Sequence, residues 1–275
     1  MKGVFDYNSK ETGIKILYLL SSANIYGGTP KKTLDLIKHS KNRRILYFWS
    51  NEYAEKHWMF EEAGAQIYVG NYGRNLVRHV REIVKIIDYH SIDIIQTQFS
   101  FGEVLGFAAK WMRPNVKVIV AFVTPFPPSI PKRYILQTIY RKVDTFIYVS
   151  DYVRREKTIN IPILEKLPGR IIYNGTARLE DSATTPGGSD TYRILAVSGL
   201  IDCKNIATLI HAVALLVYRE KRTNVTLNVI GDGPDRAHLE TLIHDLDLGE
   251  NVRLLGNRDN VGDFLYQCNL FAHPS

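Results

Sequence analysis

Short, almost wholly apolar runs alternate along this chain with longer segments whose apolar residues recur at helical spacing. Few folds accommodate that pattern. Residues 14–21 (IKILYLLS) read as a buried strand and 29–39 as the helix after it. Residues 44–49 are β-rich, 52–63 are helical and 66–70 make a short strand. Leu76, Val80, Ile83, Val84 and Ile87 form the apolar stripe of a helix over 76–89. Strands follow at 92–96, 116–123, 145–149 and 170–173, with helices at 102–112, 132–141 and 151–158 between them. Strands that are apolar on both faces need helices on both faces, which means a parallel sheet. Right-handed crossovers then make the sheet doubly wound.

The pattern breaks once and restarts. Residues 179–191 (LEDSATTPGGSDT) carry no long apolar side chain after Leu179 and include Pro186-Gly187-Gly188, the composition of a linker. A second series has strands at 192–197, 225–230, 252–255 and 270–272. Its helices fall at 205–219, 234–247 and 261–267, with Pro234 at the first helical position of the second. The expected organisation is α/β with two Rossmann-like domains, 1–178 and 192–275, joined by the linker 179–191. The second domain reads as incomplete. After its last strand the sequence stops at Ser275 with no closing helix, leaving an uncovered sheet edge, so a truncation or a fragment is expected.

A length of 275 residues suits two domains. A composition of 45% hydrophobic and 23% charged residues argues against disorder and against a coiled coil. No apolar run reaches the roughly 18–20 residues of a membrane-spanning helix, and residues 1–11 are too polar for a signal peptide. Two cysteines, Cys203 and Cys268, make no disulfide framework and point to a reducing, cytoplasmic setting.

The charge is lopsided. Residues 1–190 hold 27 Lys+Arg against 18 Asp+Glu, whereas 191–275 hold 8 against 10. The basic residues cluster at Lys31-Lys32, at Lys41, Arg43 and Arg44, at Arg74, Arg78 and Arg81 on one helix face, and at Arg154-Arg155 and Lys157. They either solvate helices or meet an anionic partner. They are spread over several elements and carry no nucleic-acid-binding signature, so no nucleic acid is expected.

Gly27-Gly28 lie between the first strand and the first helix, as a plain tight turn or as a place where backbone approaches an anion at the helix N-terminus. No G-x-G-x-x-G fingerprint is present. Gly231-Asp232-Gly233-Pro234 end the second strand of the second series, where doubly wound sheets bind ligands, or simply turn the chain. Asp232 there reaches a nucleotide hydroxyl or bonds its own backbone. Lys204 ends the run Ser198-Gly199-Leu200-Ile201-Asp202-Cys203-Lys204, as a surface residue or a phosphate ligand. Glu103 reads first as an N-terminal dipole partner of its helix, and alternatively as a cleft residue. Gln96-Thr97-Gln98 suit sugar hydroxyls or are satisfied structural groups. His273 reads as a strand-end residue before a site role. His211, His238 and His244 lack Cys/His partner spacing, so no zinc site is expected.

Residues 192–275 resemble glycosyltransferase family 4, of the two-Rossmann-domain type called GT-B. The runs that carry the resemblance are SGLIDCKN with ATLIHAVALL, LNVIGDGPDRAHLETLIHDLDLGENVRLLGN, and VGDFLYQCNLFAHPS. The first half is similar at Tyr26-Gly27-Gly28, GEVLGFAAK, Val149-Ser150-Asp151-Tyr152-Val153-Arg154 and Ile171-Ile172-Tyr173-Asn174-Gly175. The resemblance implies a retaining transfer of sugar from a nucleotide-diphosphate donor, in a cleft between the domains, without metal or other cofactor. It places Lys204, Gly28 and Gly199 at the donor phosphates, and Gly231, Asp232, Gly233, Gly256 and Asn257 around the nucleoside. Gly27, Gln98 and Thr124 fall on the side of a saccharide or lipid-linked acceptor. It implies cell-envelope glycan synthesis in the cytoplasm, peripheral on the inner face of an anionic membrane. No catalytic nucleophile is evident.

Three departures from the family pattern accompany this. Gly199 stands where members usually carry arginine, and Phe122-Val123-Thr124-Pro125 holds no histidine where members usually carry one after the strand 116–123. The Glu-x7-Glu element of the family would begin just after Ser275. An expected alternative is therefore a truncated, non-catalytic homologue that folds but binds donor weakly.

Overall fold

The computed structural model describes residues 13–175 and 190–274. They fall in two compact units, Met1–Thr176 and Ala177–Ser275. The polar stretch 1–11 and most of the expected linker 179–191 lie outside the described residues.

The first unit runs β1 (Lys15–Leu20), α1 (Gly28–His39), β2 (Arg43–Phe48), α2 (His57–Glu62), β3 (Gln66–Val69), α3 (Leu76–His90), β4 (Ile94–Thr97) and α4 (Phe99–Met112). It continues with β5 (Lys117–Phe122), α5 (Ile130–Tyr140), β6 (Thr145–Tyr148), α6 (Asp151–Asn160) and β7 (Gly169–Ile171). All seven strands are parallel, in the order β3-β2-β1-β4-β5-β6-β7. β1 shows why the sequence folds so. Leu17 and Leu19 enter one apolar layer with Ile45, Ile83, Val84 and Leu105. Tyr18 and Leu20 enter the opposite layer with Leu34, Ile37 and Phe60. A strand apolar from Ile16 to Leu20 is thus consumed on both faces.

The second unit runs β8 (Tyr192–Val197), α7 (Ile206–Ala214), β9 (Val225–Ile230), α8 (Arg236–Asp245), β10 (Val252–Gly256), α9 (Val261–Gln267) and β11 (Leu270–Phe271). Its four parallel strands are ordered β10-β9-β8-β11. Ile194, Ala196, Leu227 and Val229 meet Ile210, Val213 and Leu239 of the covering helices. Both units are α/β with parallel sheets, as the strand pattern requires. In each, chain order reverses at one point, between β1 and β4 and between β8 and β11. Loops leaving the carboxyl ends of such strands diverge and leave room for a ligand.

Several boundaries differ from expectation. α4 begins at Phe99 rather than 102, because Phe99 adopts the left-handed region (φ 63°) and turns the chain straight from strand to helix. α8 begins at Arg236, so Pro234 precedes the helix instead of opening it. The Asp235 N–H is spent on Leu200 O at 3.1 Å and the Arg236 N–H on Gly233 O, which makes a turn there. The helix expected over 205–219 is α7 followed by a π turn at Leu215–Arg219. There the Tyr218 hydroxyl donates to the carbonyls of Leu246 and Asp247 at 2.8 and 2.9 Å.

Candidate active site

Three loops at the carboxyl end of the second sheet are stitched together through backbone. Ser198 N–H donates to Ile230 O at 2.9 Å and Leu200 N–H to Asp232 O at 3.1 Å. Gly231 N–H donates to Gly256 O at 2.9 Å. Glycine is required where they meet. A Cβ on Gly231 would lie 2.0 Å from Ser198 O, and one on Gly233 2.3 Å from Leu200 O. Gly231 and Gly256 also sit at positive φ (132° and 70°). Gly199, Gly231, Asp232, Gly233 and Gly256 therefore form one surface, with half-buried Asn257 beside it.

Lys204 closes the first of these loops in a 3-10 turn, Asp202–Lys204, and Asn205 in the left-handed region (φ 54°) turns the chain into α7. Asn205 spends its side-chain oxygen on the Thr208 hydroxyl at 2.7 Å and caps no helix N–H. Lys204 is half-buried, and its ammonium has no hydrogen bond or ion pair among the described residues. A cation held beside an uncapped helix N-terminus is suited to an anion. Gly199 is exposed and has room for a side chain, since the nearest atom to its would-be Cβ is Asp232 O at 3.9 Å.

Asp232 does what aspartates in turns do. Its Oδ1 accepts from Gly233 N–H at 2.8 Å, and its Oδ2 lies 3.8 Å from Arg236. Arg236 escaped the sequence reading. It pairs with Glu240 at 2.8 Å and donates to Leu254 O at 3.1 Å, tying α8 to β10. The i, i+4 spacing of Asp232, Arg236 and Glu240 was the available signal.

In the first unit, Gly27 caps α1 without a side-chain hydrogen bond, its N–H engaged by Asn24 O at 2.9 Å. A Cβ on Gly28 would meet nothing within 4 Å. Gln98 is fully buried. Its amide nitrogen lies 3.5 Å from the Thr33 hydroxyl of α1, while its carbonyl oxygen and the Thr97 hydroxyl have no partner among the described residues. Thr124 lines a cavity of about 330 Å³ at the carboxyl end of β5, with Phe99, Glu103, Phe126, Tyr140 and Lys157. The three residues expected on the acceptor side thus sit on three separate loops: Gly27 before α1, Gln98 behind it, and Thr124 on the cavity.

Glu103 is not a dipole partner. α4 starts four residues earlier, so Glu103 lies past the first turn, buried, with its Oε2 accepting from the Tyr140 hydroxyl at 2.8 Å. Burial raises its pKa above the usual carboxylate range, against the opposing pull of Tyr140, Lys157 and Lys132. Burial lowers the pKa of Lys157, against the pull of Glu103. The basic face expected of α3 is also shorter, because Arg74 precedes the Asn75 cap and only Arg78 and Arg81 are helical. Among the described residues no three His, Cys, Asp or Glu side chains form a metal-holding group, and no helix is long and apolar enough to cross a membrane.

Two units, each built on a parallel doubly wound sheet, are the architecture of the GT-B class of fold. A structure of HepE from Anabaena in complex with UDP-glucose superposes with a TM-score of 0.82 at 20% identity, covering 95% of this chain and 74% of that one. The profile of the glycosyl transferases group 1 matches residues 179–275, and that of Glycosyltransferase Family 4 matches residues 43–176. The chain belongs to this family of glycosyltransferases.

A curated relative from Campylobacter jejuni is N-acetylgalactosamine-N,N'-diacetylbacillosaminyl-diphospho-undecaprenol 4-alpha-N-acetylgalactosaminyltransferase. It is 31% identical over 154 residues, 54% of this chain and 39% of its own length. The lipopolysaccharide core biosynthesis glycosyltransferase LpsE from Rhizobium meliloti is 30% identical over 107 residues, 39% of this chain and 28% of its own. The matches thus span well under half of either curated relative.

Proposed function

We propose that the protein is a retaining glycosyltransferase that moves a sugar from a nucleotide-diphosphate donor to a saccharide or lipid-linked acceptor in cell-envelope glycan synthesis. The observation that carries this is Lys204, an ammonium without a partner among the described residues, at the mouth of the stitched glycine loops of the second unit. A leaving nucleoside diphosphate must have its charge stabilised, and Lys204 with the uncapped start of α7 supplies that stabilisation without a metal. The acceptor oxygen bonds to C1 of the sugar as the bond from C1 to the diphosphate breaks. The acceptor proton leaves with the diphosphate. Gly231, Gly233, Gly256 and Asn257 would face the nucleoside, with Gly28 at the phosphates. The names of the relatives support a cell-envelope acceptor, and the basic surplus of residues 1–190 supports work at the cytoplasmic face of an anionic membrane.

The test is calorimetric titration of the chain with UDP, GDP, ADP and UMP. One nucleoside diphosphate is expected to bind at least tenfold more tightly than its monophosphate. Failure of every diphosphate to bind would sink the proposal.

A second reading, a homologue that folds but holds donor weakly, is favoured by Gly199, where the resembled family supplies an arginine. Measured transfer of sugar to any acceptor would dismiss it.

A further inference from the structure

We propose that Arg236 is a positioning residue for the donor: it holds the bulge of β10, and through it the Gly256-Asn257 backbone, in position to select the base of the nucleoside. The inference rests on the donor reading above and goes beyond it by naming what sets the choice of base.

The sheet does not fix this backbone by itself. β10 pairs with β9 in register from Val252 to Leu254, opposite Leu227 to Val229, and then slips, so that Gly256 rather than Leu255 faces Ile230. Leu255 is thus the extra residue of a bulge. A bulge breaks the ladder locally and re-aims the chain beyond it. Among the described residues β10 is also an edge strand, with β9 as its one neighbour. The chain past the bulge therefore needs a second support.

Arg236 supplies it from α8. Its Nη2 donates to Leu254 O, at the bulge itself, at 3.1 Å. Its Nη1 is the nearest atom to a would-be Cβ on Gly256, at 3.8 Å, so the guanidinium lies against the residue that turns the loop at φ 70°. The guanidinium is itself held from the other side. Nε pairs with Glu240 at 2.8 Å, and Nη1 lies 3.8 Å from Asp232 Oδ2. One side chain thus joins α8, the Asp232 loop and the Gly256 loop. A planar fork serves such partners in a single geometry, which an ammonium on a flexible stem does not.

Bases are told apart by hydrogen-bonding groups at their edges, and a site built of such groups discriminates only while they are held to within about 0.5 Å. Loosening the Gly256-Asn257 backbone therefore costs discrimination between bases. The hold on the phosphates, which falls to Lys204 and the start of α7, is left alone. Arg236 acts here through backbone and does not touch the donor.

The test is calorimetric titration of the 275-residue chain and its variants with UDP, GDP, ADP and inorganic pyrophosphate. The parent is expected to prefer one nucleotide at least tenfold. In Arg236→Gln that preference should shrink at least fivefold, while pyrophosphate affinity stays within twofold. Arg236→Lys keeps the charge and most of the stem, so it folds even where the glutamine variant does not. It should lose the same selectivity, because an ammonium cannot span Leu254 O and Glu240 together. Tyr218→Phe controls for general loosening. It gives up the hydrogen bonds to the Leu246 and Asp247 carbonyls beyond the far end of α8, so its melting temperature should fall with the preference unchanged. A preference that survives both Arg236 variants, an equal loss in Tyr218→Phe, or a parent that binds the three nucleotides alike would each overturn the assignment and leave the donor reading standing. Failure of every nucleotide to bind the parent would remove the donor reading, and the role of Arg236 with it.

Discussion

Gly231 and Ser198 touch backbone to backbone: a Cβ at position 231 would stand 2.0 Å from the Ser198 carbonyl oxygen. The contact, together with the bond from Gly231 N–H to Gly256 O, locks three loops into one surface at the carboxyl end of the second sheet.

Replacing Gly231 by alanine forces both an overlap and a left-handed φ on a residue with a Cβ. The expected loss is at least roughly 1–3 kcal/mol of stability from backbone strain alone. Gly199→Ala, whose Cβ has room, should stay within about 0.5 kcal/mol of the parent. Urea unfolding of both variants checks the contrast. Equal stabilities would refute the geometry.

Lys204 has no partner to lose among the described residues, so Lys204→Ala should leave the melting temperature unchanged. UDP affinity should fall at least tenfold, about 1.4 kcal/mol, with UMP affected less. Gly199→Arg puts back the family's cation where there is space and should tighten UDP severalfold. Calorimetry on the two variants reads both effects.

Asp144 gives the acid limb of stability a definite shape. Burial on its own would raise this carboxyl. The Lys110 ammonium, the Val118 N–H at 2.7 Å and Lys117 at 3.4 Å outweigh that and hold it below the usual carboxylate range. A lowered folded pKa contributes stability that is complete above the unfolded value of about 4 and is lost as pH falls through the folded one. Asp144→Asn should cost on the order of 2 kcal/mol at pH 7 and flatten the decline below about pH 4. Thermal unfolding across pH 2–7 measures it.

Glu103 works in the opposite sense. Its raised folded pKa means that the folded chain holds a proton which the unfolded chain releases. Its contribution is complete below the unfolded carboxyl value and is lost as pH rises through the folded one. Lys157, Lys132 and the Tyr140 hydroxyl are the groups acting on it. Glu103→Gln should remove that dependence, so the stability gap between parent and variant narrows or reverses as pH rises from 4 to 8. A gap constant with pH would show that Glu103 does not titrate there.

Much of the fold was legible because strand burial writes itself into composition. The run from Ile16 to Leu20 in β1 has no polar residue on either face, so its place in the middle of a parallel sheet follows from local pattern, whereas β9 keeps Thr226 and Asn228 on one half-buried face. Helix starts were less legible. Phe99 opens α4 from a left-handed conformation that no aromatic residue advertises, and the misplaced start led to the wrong role for Glu103.

The sequence by itself determined the α/β class of both units and the two-faced burial of strands such as β1. Each depends on residue type and spacing along the chain. Only the tertiary structure decided that Gly231 is pressed onto Ser198, that Arg236 ties α8 to β10, and that Gln98 is sealed behind α1 while Thr124 opens on a cavity. It also brought Tyr140 to Glu103 across 37 positions of sequence. Such pairs form when distant elements fold onto one sheet, and no local propensity encodes which side chains will meet.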